Sequence, residues 1–161
     1  AFISRPYIDL KDKRNSKRYF DKLRQVWENQ DLLIVEGTLS RSGTGNDLFD
    51  NAKSVKRIIC PSKNAFSKVD VIQQEILKYA KGRLILVMLG PTAKVLVKNL
   101  SDLGYQAIDI GHIDSEYEWY KMGATHKVKI PNKHTAELDD GEVSVVEDKK
   151  YQSEILTVID D

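Results

Sequence analysis

The sequence predicts an α/β fold, a mostly parallel sheet flanked by helices, on three observations. From about Asp31 onward, short apolar runs alternate with amphipathic segments, the pattern of strands joined by crossover helices. Each run is about five residues long, rich in aliphatic and β-branched types and closed by Gly or Pro, as strands buried on both faces are. The segments between them carry helix start and stop signals.

Taken in order, NSKRYFDKLRQVWENQ reads as a helix with Phe20, Leu23 and Trp27 on one stripe. DLLIVEG is the first strand, NDLFDNAK a short helix and VKRIICP the second strand. NAFSKVDVIQQEILKYAKG is a helix in which Val71, Ile72, Ile76 and Tyr79 keep helical spacing and Gly82 marks the end. RLILVMLG is the third strand; PTAKVLVKNLSDLG follows as a helix opened by Pro91 and ended by Gly104. YQAIDIG is the fourth strand. After Gly123 the pattern weakens: THKVKIP reads as a late strand, HTAELDDGEVSVVEDKK as a polar connection and YQSEILTVID as a closing helix.

With 161 residues and 41% hydrophobic content, the chain can bury one core. A net charge of +1 gives no reason to expect nucleic acid or an anionic membrane as partner. No run reaches the roughly 18 apolar residues of a membrane span. The single cysteine, Cys60, excludes an intrachain disulfide and suits a reducing compartment, so a cytoplasmic location is expected. Cys60 itself reads as a buried strand-end residue rather than a nucleophile, since no base neighbours it in sequence.

In open α/β sheets ligands bind outside the carboxyl ends of the strands, so the four strand ends are the places to look. After the first, EGTLSRSGTGNDLFD offers Gly43 and Gly45 for close backbone approach, Arg41 as a cation and Asn46 or Asp47 as a cap. It reads either as a diphosphate cradle or as a loop closed by a cap. It contains neither G-x-x-x-x-G-K-[ST] nor G-x-G-x-x-G. After the third, Gly90, Pro91 and Thr92 make a good helix start and a second possible phosphate contact. After the second, Ser62, Lys63 and Asn64 are polar and Phe66 could pack against a base.

The fourth strand end carries GHIDSEYEWY, with His112, Asp114, Glu116 and Glu118 in ten residues. If a helix begins near Asp114, Ser115 and Glu118 form a capping box and the acidic residues complement the helix dipole. Alternatively, a carboxylate-rich set with one imidazole suits Mn²⁺ or Mg²⁺ beside a diphosphate. Both readings stand on the residues alone. His126 and His134 are read as surface residues.

In this order, the opening SRPYID, IVEGTLSRSGTGNDLF, RIICPSKNAF, LGPTAKVL and DIGHIDSEYEW resemble the bacterial GT-D-type glycosyltransferases, first described as a domain of unknown function in enzymes that glycosylate serine-rich adhesins. The likeness extends over nearly the whole chain. It implies a Rossmann-like fold, a nucleotide-sugar donor such as UDP-glucose, a hexose passed to a glycan or glycoprotein, and a divalent metal. It places a D-x-E motif on Asp114 and Glu116, with His112 and Glu118 joining the metal and diphosphate site. It also implies that Glu36, Arg41, Gly45, Asn46, Asp47, Gly90 and Thr92 line the donor pocket. Ser115 stands where the motif has an aliphatic residue. Family members usually carry an N-terminal portion with a glycine-rich acidic turn, and this sequence starts at Ala1; residues 1–161 are therefore expected to form a single domain of this type without that portion. Two rival readings remain: a methyltransferase using S-adenosylmethionine, suggested by VEG followed by GTG, and a non-catalytic nucleotide- or partner-binding fragment.

Overall fold

The computed structural model describes residues 5–135, 137–138 and 143–160. Its centre is a five-stranded, all-parallel sheet: β1 (Asp31–Gly37), β2 (Ser54–Cys60), β3 (Leu84–Met88), β4 (Ala107–Asp109) and β5 (Ile155–Val158), in the order β4-β3-β1-β2-β5. After β2 the chain crosses back over β1 to lay down β3, so strand order reverses between β1 and β3. In doubly wound sheets such a reversal opens a crevice at the strands' carboxyl ends. Here the residues flanking it are Glu36 and Met88, which are register partners.

Period-two alternation divides the central strands between two apolar layers. Leu32, Ile34, Leu84 and Leu86 face α1 (Ser16–Arg24) and α4 (Ile113–Met122), packing with Phe20, Leu23, Trp27, Tyr117 and Trp119. Leu33, Val35, Ile58, Ile85 and Val87 face α2 (Val69–Tyr79) and α3 (Pro91–Asp102), packing with Ile72, Ile76, Leu96 and Leu100. The expected architecture, a Rossmann-like α/β sheet between helices, is therefore what the chain adopts. Proline opens α3 as expected.

Four local expectations are corrected. NDLFDNAK is a series of turns rather than a helix: Leu48 and Phe49 are buried in the core, and the Leu48 carbonyl accepts the Trp27 indole N–H at 3.0 Å, a group that a helix would use itself. THKVKIP is not a strand; its backbone is claimed by side chains, with Val128 O accepting from Trp119 Nε1 at 2.8 Å and Ile130 N donating to Thr135 Oγ1 at 2.8 Å. YQSEILTVID divides into the end of a short helix, α5 (Lys149–Glu154), and the edge strand β5, because ILTV suits a pleated surface and finds an open edge on β2. The fourth strand is a three-residue, half-buried edge rather than a strand buried on both faces. Of HTAELDDGEVSVVEDKK, Ala136 and residues 139–142 lie outside the described residues.

The two edges of the β1–β2–β5 half are joined by a buried ionic network. Glu36 on β1 has no exposed surface, and its Oε1 accepts from Arg57 Nη1 at 2.7 Å and from the Tyr151 hydroxyl at 3.3 Å. The same guanidinium donates through Nε to Glu154 Oε2 at 2.7 Å, while the Tyr151 ring lies between Arg41 and Arg57. Removing one member leaves buried charge uncompensated. Arg57→Ala is therefore expected to lower unfolding stability by about 3–5 kcal/mol. Urea denaturation monitored by Trp fluorescence checks this, and a loss under about 1 kcal/mol would mean that the network is not structural.

Candidate functional site

A cleft of about 850 Å³ opens at the carboxyl ends of β1 to β4, across the reversal point. Ser40 and Ser42 come to it from the loop after β1, and Ser62, Lys63, Asn64 and Phe66 from that after β2. Met88, Gly90 and Thr92 follow β3, His112 and Asp114 follow β4, and His134, Leu138 and Val143 close the far side. Phe66 is 58% exposed, an aromatic face held against solvent at the mouth. Gly90 has φ +51° with open space where a Cβ would stand, so a side chain there would be strained and would occupy empty volume.

Of the residues singled out in the sequence, Ser62, Lys63, Asn64 and Phe66 line this cleft, as do Gly90, Pro91, Thr92, His112 and Asp114. The glycine loop does not present itself there as an open cradle, because three successive amides, those of residues 42–44, are already engaged. Ser42 N donates to Glu36 Oε2 at 2.8 Å, Gly43 N to Asp114 Oδ1 at 2.7 Å and Thr44 N to Arg41 O at 3.0 Å. Gly43, Gly45 and Asn46 instead line a second, smaller cavity of about 270 Å³ with Arg57 and Tyr151. Glu36 and Arg41 are buried beneath the loop, Glu36 as the carboxylate that holds it and Arg41 donating through Nη2 to Val146 O at 2.9 Å. Neither Asn46 nor Asp47 caps a helix: Asn46 Oδ1 accepts from Leu48 N at 2.9 Å in a turn, and Asp47 pairs with Arg24, Lys121 and the Tyr117 hydroxyl.

The acidic stretch resolves into three different roles. The helix α4 starts at Ile113 with His112 as its N-cap, without a side-chain cap bond, so Ser115 lies inside the helix and the Ser115–Glu118 capping box does not form. Asp114 and Glu116 are two residues apart, about 200° around the helix, and project from opposite sides. Glu116 turns away from the cleft: fully buried, it accepts the amides of Tyr7 and Ile8 at 2.8 and 2.9 Å and so pins the N-terminal segment to α4. Burial raises its pKa, against the lowering effect of those two amides.

Asp114 and Glu118, one turn apart, do converge, and Lys133 stands between them. Its ammonium lies 2.9 Å from Asp114 Oδ2 and 3.0 Å from Glu118 Oε1, with the side chain only 3% exposed. Burial works against that charge, but the two carboxylates outweigh it and raise the lysine's pKa. Asn46 Nδ2 bridges the same two carboxylates at 2.9 and 2.7 Å. Among the described residues no group of three or more His, Cys, Asp and Glu side chains is arranged to hold a metal ion. His112, Asp114, Glu116 and Glu118 thus do not fit a divalent cation as one chelating set. Lys133 was missed in the sequence because nothing in PNKHT, 15 residues beyond Glu118, signals that contact.

His112 stands at the cleft wall, and loss of hydration there lowers its pKa below the usual histidine value, with Arg5 and His134 adding to the effect. This favours the uncharged imidazole. His126 is exposed, as expected; His134 is exposed too, yet faces the cleft. Cys60 is fully buried, and burial followed by the charge of Glu36 pushes its thiol up to about 12.

A parallel sheet with a roomy crevice at its reversal point defines an α/β protein whose ligand site is expected at the carboxyl ends of its strands. The comparisons with known proteins carry this further: the model of the glycosyltransferase GT-D fold matches residues 1–138, and the chain belongs to that family. It is similar to "Glycosyltransferase GlyD" of Streptococcus pneumoniae serotype 4, 62% identical over 99% of this chain and 20% of the relative. It is similar at the same identity to "Probable glycosyl transferase Gly" of Streptococcus gordonii, over 97% of this chain and 23% of that protein. A solved structure described as "The highly conserved domain of unknown function 1792 has a distinct glycosyltransferase fold" superimposes with a TM-score of 0.96 at 61% identity, covering 99% of this chain and 58% of the other. The chain therefore spans about a fifth of the curated relatives' length.

Two outcomes follow from the site. Glu116→Ala should cost about 1–3 kcal/mol by leaving the Tyr7 and Ile8 amides without an acceptor, and hydrogen exchange should show both amides deprotected; continued protection would remove the pinning role. Cys60 should resist alkylation at pH 8 in the folded protein and react once denaturant is added, since its thiolate is scarce and its sulfur covered.

Proposed function

We propose that this chain forms the donor-binding part of a glycosyltransferase that moves a hexose, glucose, from a UDP-sugar to a hydroxyl of a glycan or glycoprotein. The observation that carries the reading is the cleft at the β1/β3 reversal in a chain of the GT-D family. Its volume suits a ligand of nucleotide-sugar size. Phe66 offers an exposed face on which a base can stack, and Lys63 and the start of α3 at Gly90–Thr92 offer positive potential to a diphosphate.

In this reading the leaving diphosphate is stabilised by Lys63 and by the positive end of the α3 dipole, charge placed where charge develops. His112, on the cleft wall with its charged form disfavoured, is the group suited to take the acceptor proton. The metal dependence that the resemblance implies would have to use something other than His112, Asp114, Glu116 and Glu118 as one set. No step here is routed through it. The family match weighs against the methyltransferase reading, whose cofactor loop would need amides that Glu36 and Asp114 already occupy. No helix among the described residues is long and apolar enough to cross a membrane.

Calorimetry with UDP, UDP-glucose, GDP and S-adenosylmethionine tests the reading. UDP and UDP-glucose are expected to bind and S-adenosylmethionine is not. Phe66→Ala should weaken UDP by about 1–3 kcal/mol if the base stacks there. Gly90→Ala should weaken binding by filling the open space beside α3, at a cost in stability set by its φ of +51°. UDP binding that ignored both changes would place the donor elsewhere, and binding of S-adenosylmethionine would restore the methyltransferase reading.

A further inference from the structure

We infer that Lys133 is the resident cation of the Asp114/Glu118 pair and closes that pair to divalent metal. The inference concerns the donor site of the reading above, but it stands on the geometry of three side chains. Asp114 Oδ1 already accepts two donors, Gly43 N and Asn46 Nδ2, and Glu118 Oε1 accepts two, Asn46 Nδ2 and Lys133 Nζ. A carboxylate oxygen has about two lone-pair positions, so both of these are full. Asp114 Oδ2 holds the lysine as well. The two carboxylates thus meet at a point occupied by positive charge, and a second cation entering there would face like charge at close range.

The lysine is not free to step aside. The backbone around it is fastened on both sides, by Ile130 N donating to Thr135 Oγ1 at 2.8 Å and by His134 N donating to Leu39 O at 2.8 Å. Its side chain is 3% exposed, so leaving would break two charge-assisted bonds and strand the buried Asp114 carboxylate beside the partly buried Glu118. What this arrangement achieves is positioning: one ammonium and one amide hold Asp114 against the cleft and the glycine loop against α4, a task that elsewhere falls to a metal.

The test uses Mn²⁺ alone, without nucleotide, so that a failure to bind UDP leaves it untouched. Binding is measured by calorimetry and by the Mn²⁺ paramagnetic signal on the parent, Glu118→Gln, Lys133→Met and the double variant. Glu118→Gln is expected to leave the parent's Mn²⁺ affinity essentially unchanged, because the pair does not hold metal while Lys133 is present. Lys133→Met is expected to bind Mn²⁺ at least about tenfold more tightly than the parent, to melt higher with Mn²⁺ than without, and to lose the gain when Glu118→Gln is added. A parent that binds Mn²⁺ and loses it with Glu118→Gln would overturn the inference. So would a folded Lys133→Met that gains nothing. Should Lys133→Met fail to fold, the Glu118→Gln comparison decides the matter by itself.

Discussion

A charged carboxylate with no exposed surface, Glu36 at the end of the central strand, sets the terms for everything around the cleft. An ionised group there is tolerated only with partners on every side, and the chain supplies them from three directions. Arg57 comes from the neighbouring strand, the Ser42 amide from the loop above and Tyr151 from the C-terminal helix. The loop after β1 is therefore drawn down onto the sheet instead of standing free over the crevice. Arg57 passes the constraint on to Glu154, so β5 joins the sheet through an ionic link as well as through its ladder.

The same economy governs α4. Three acidic side chains enter one short helix, and each is compensated by a different part of the chain: Glu116 by the N-terminal segment, Asp114 by the glycine loop, and Asp114 with Glu118 by Lys133. Helical geometry separates Glu116 from the other two, and the negative charge is consumed as structural cross-linking. Much of the acidic stretch thus works to hold three loops in register. The cleft is left with two imidazoles, hydroxyls, one lysine, an exposed aromatic and an Asp114 carboxylate already paired with Lys133, a lining suited to a ligand with a flat base.

Such internal satisfaction also explains which site residues were visible beforehand. Gly90, Thr92, His112 and Asp114 follow directly from the rule that ligands sit at strand carboxyl ends, and all four line the cleft. Gly43, Gly45 and Asn46 obey the same rule, yet turn toward a different cavity, because a glycine loop can fold to either side of the strand it follows. Its direction was decided by two carboxylates, 71 residues away in the case of the Gly43 contact with Asp114. Lys133 and Leu138 could be found only in three dimensions, since a weakly patterned segment carries no period from which a facing direction can be read.

By itself the sequence determined the alternation of strands and helices, the edge of the sheet where a ligand belongs, and the family likeness. Those properties are written in local chemistry: apolar runs, a proline that opens a helix, glycines that end strands. Tertiary structure alone decided that NDLFDNAK is held as turns by the Trp27 indole, that ILTV becomes a strand, and that Asp114 and Glu118 close on a lysine. The physical reason is common to all three. A buried polar group takes whichever partner the fold brings within about 3 Å, and a linear sequence does not specify which distant donor that will be.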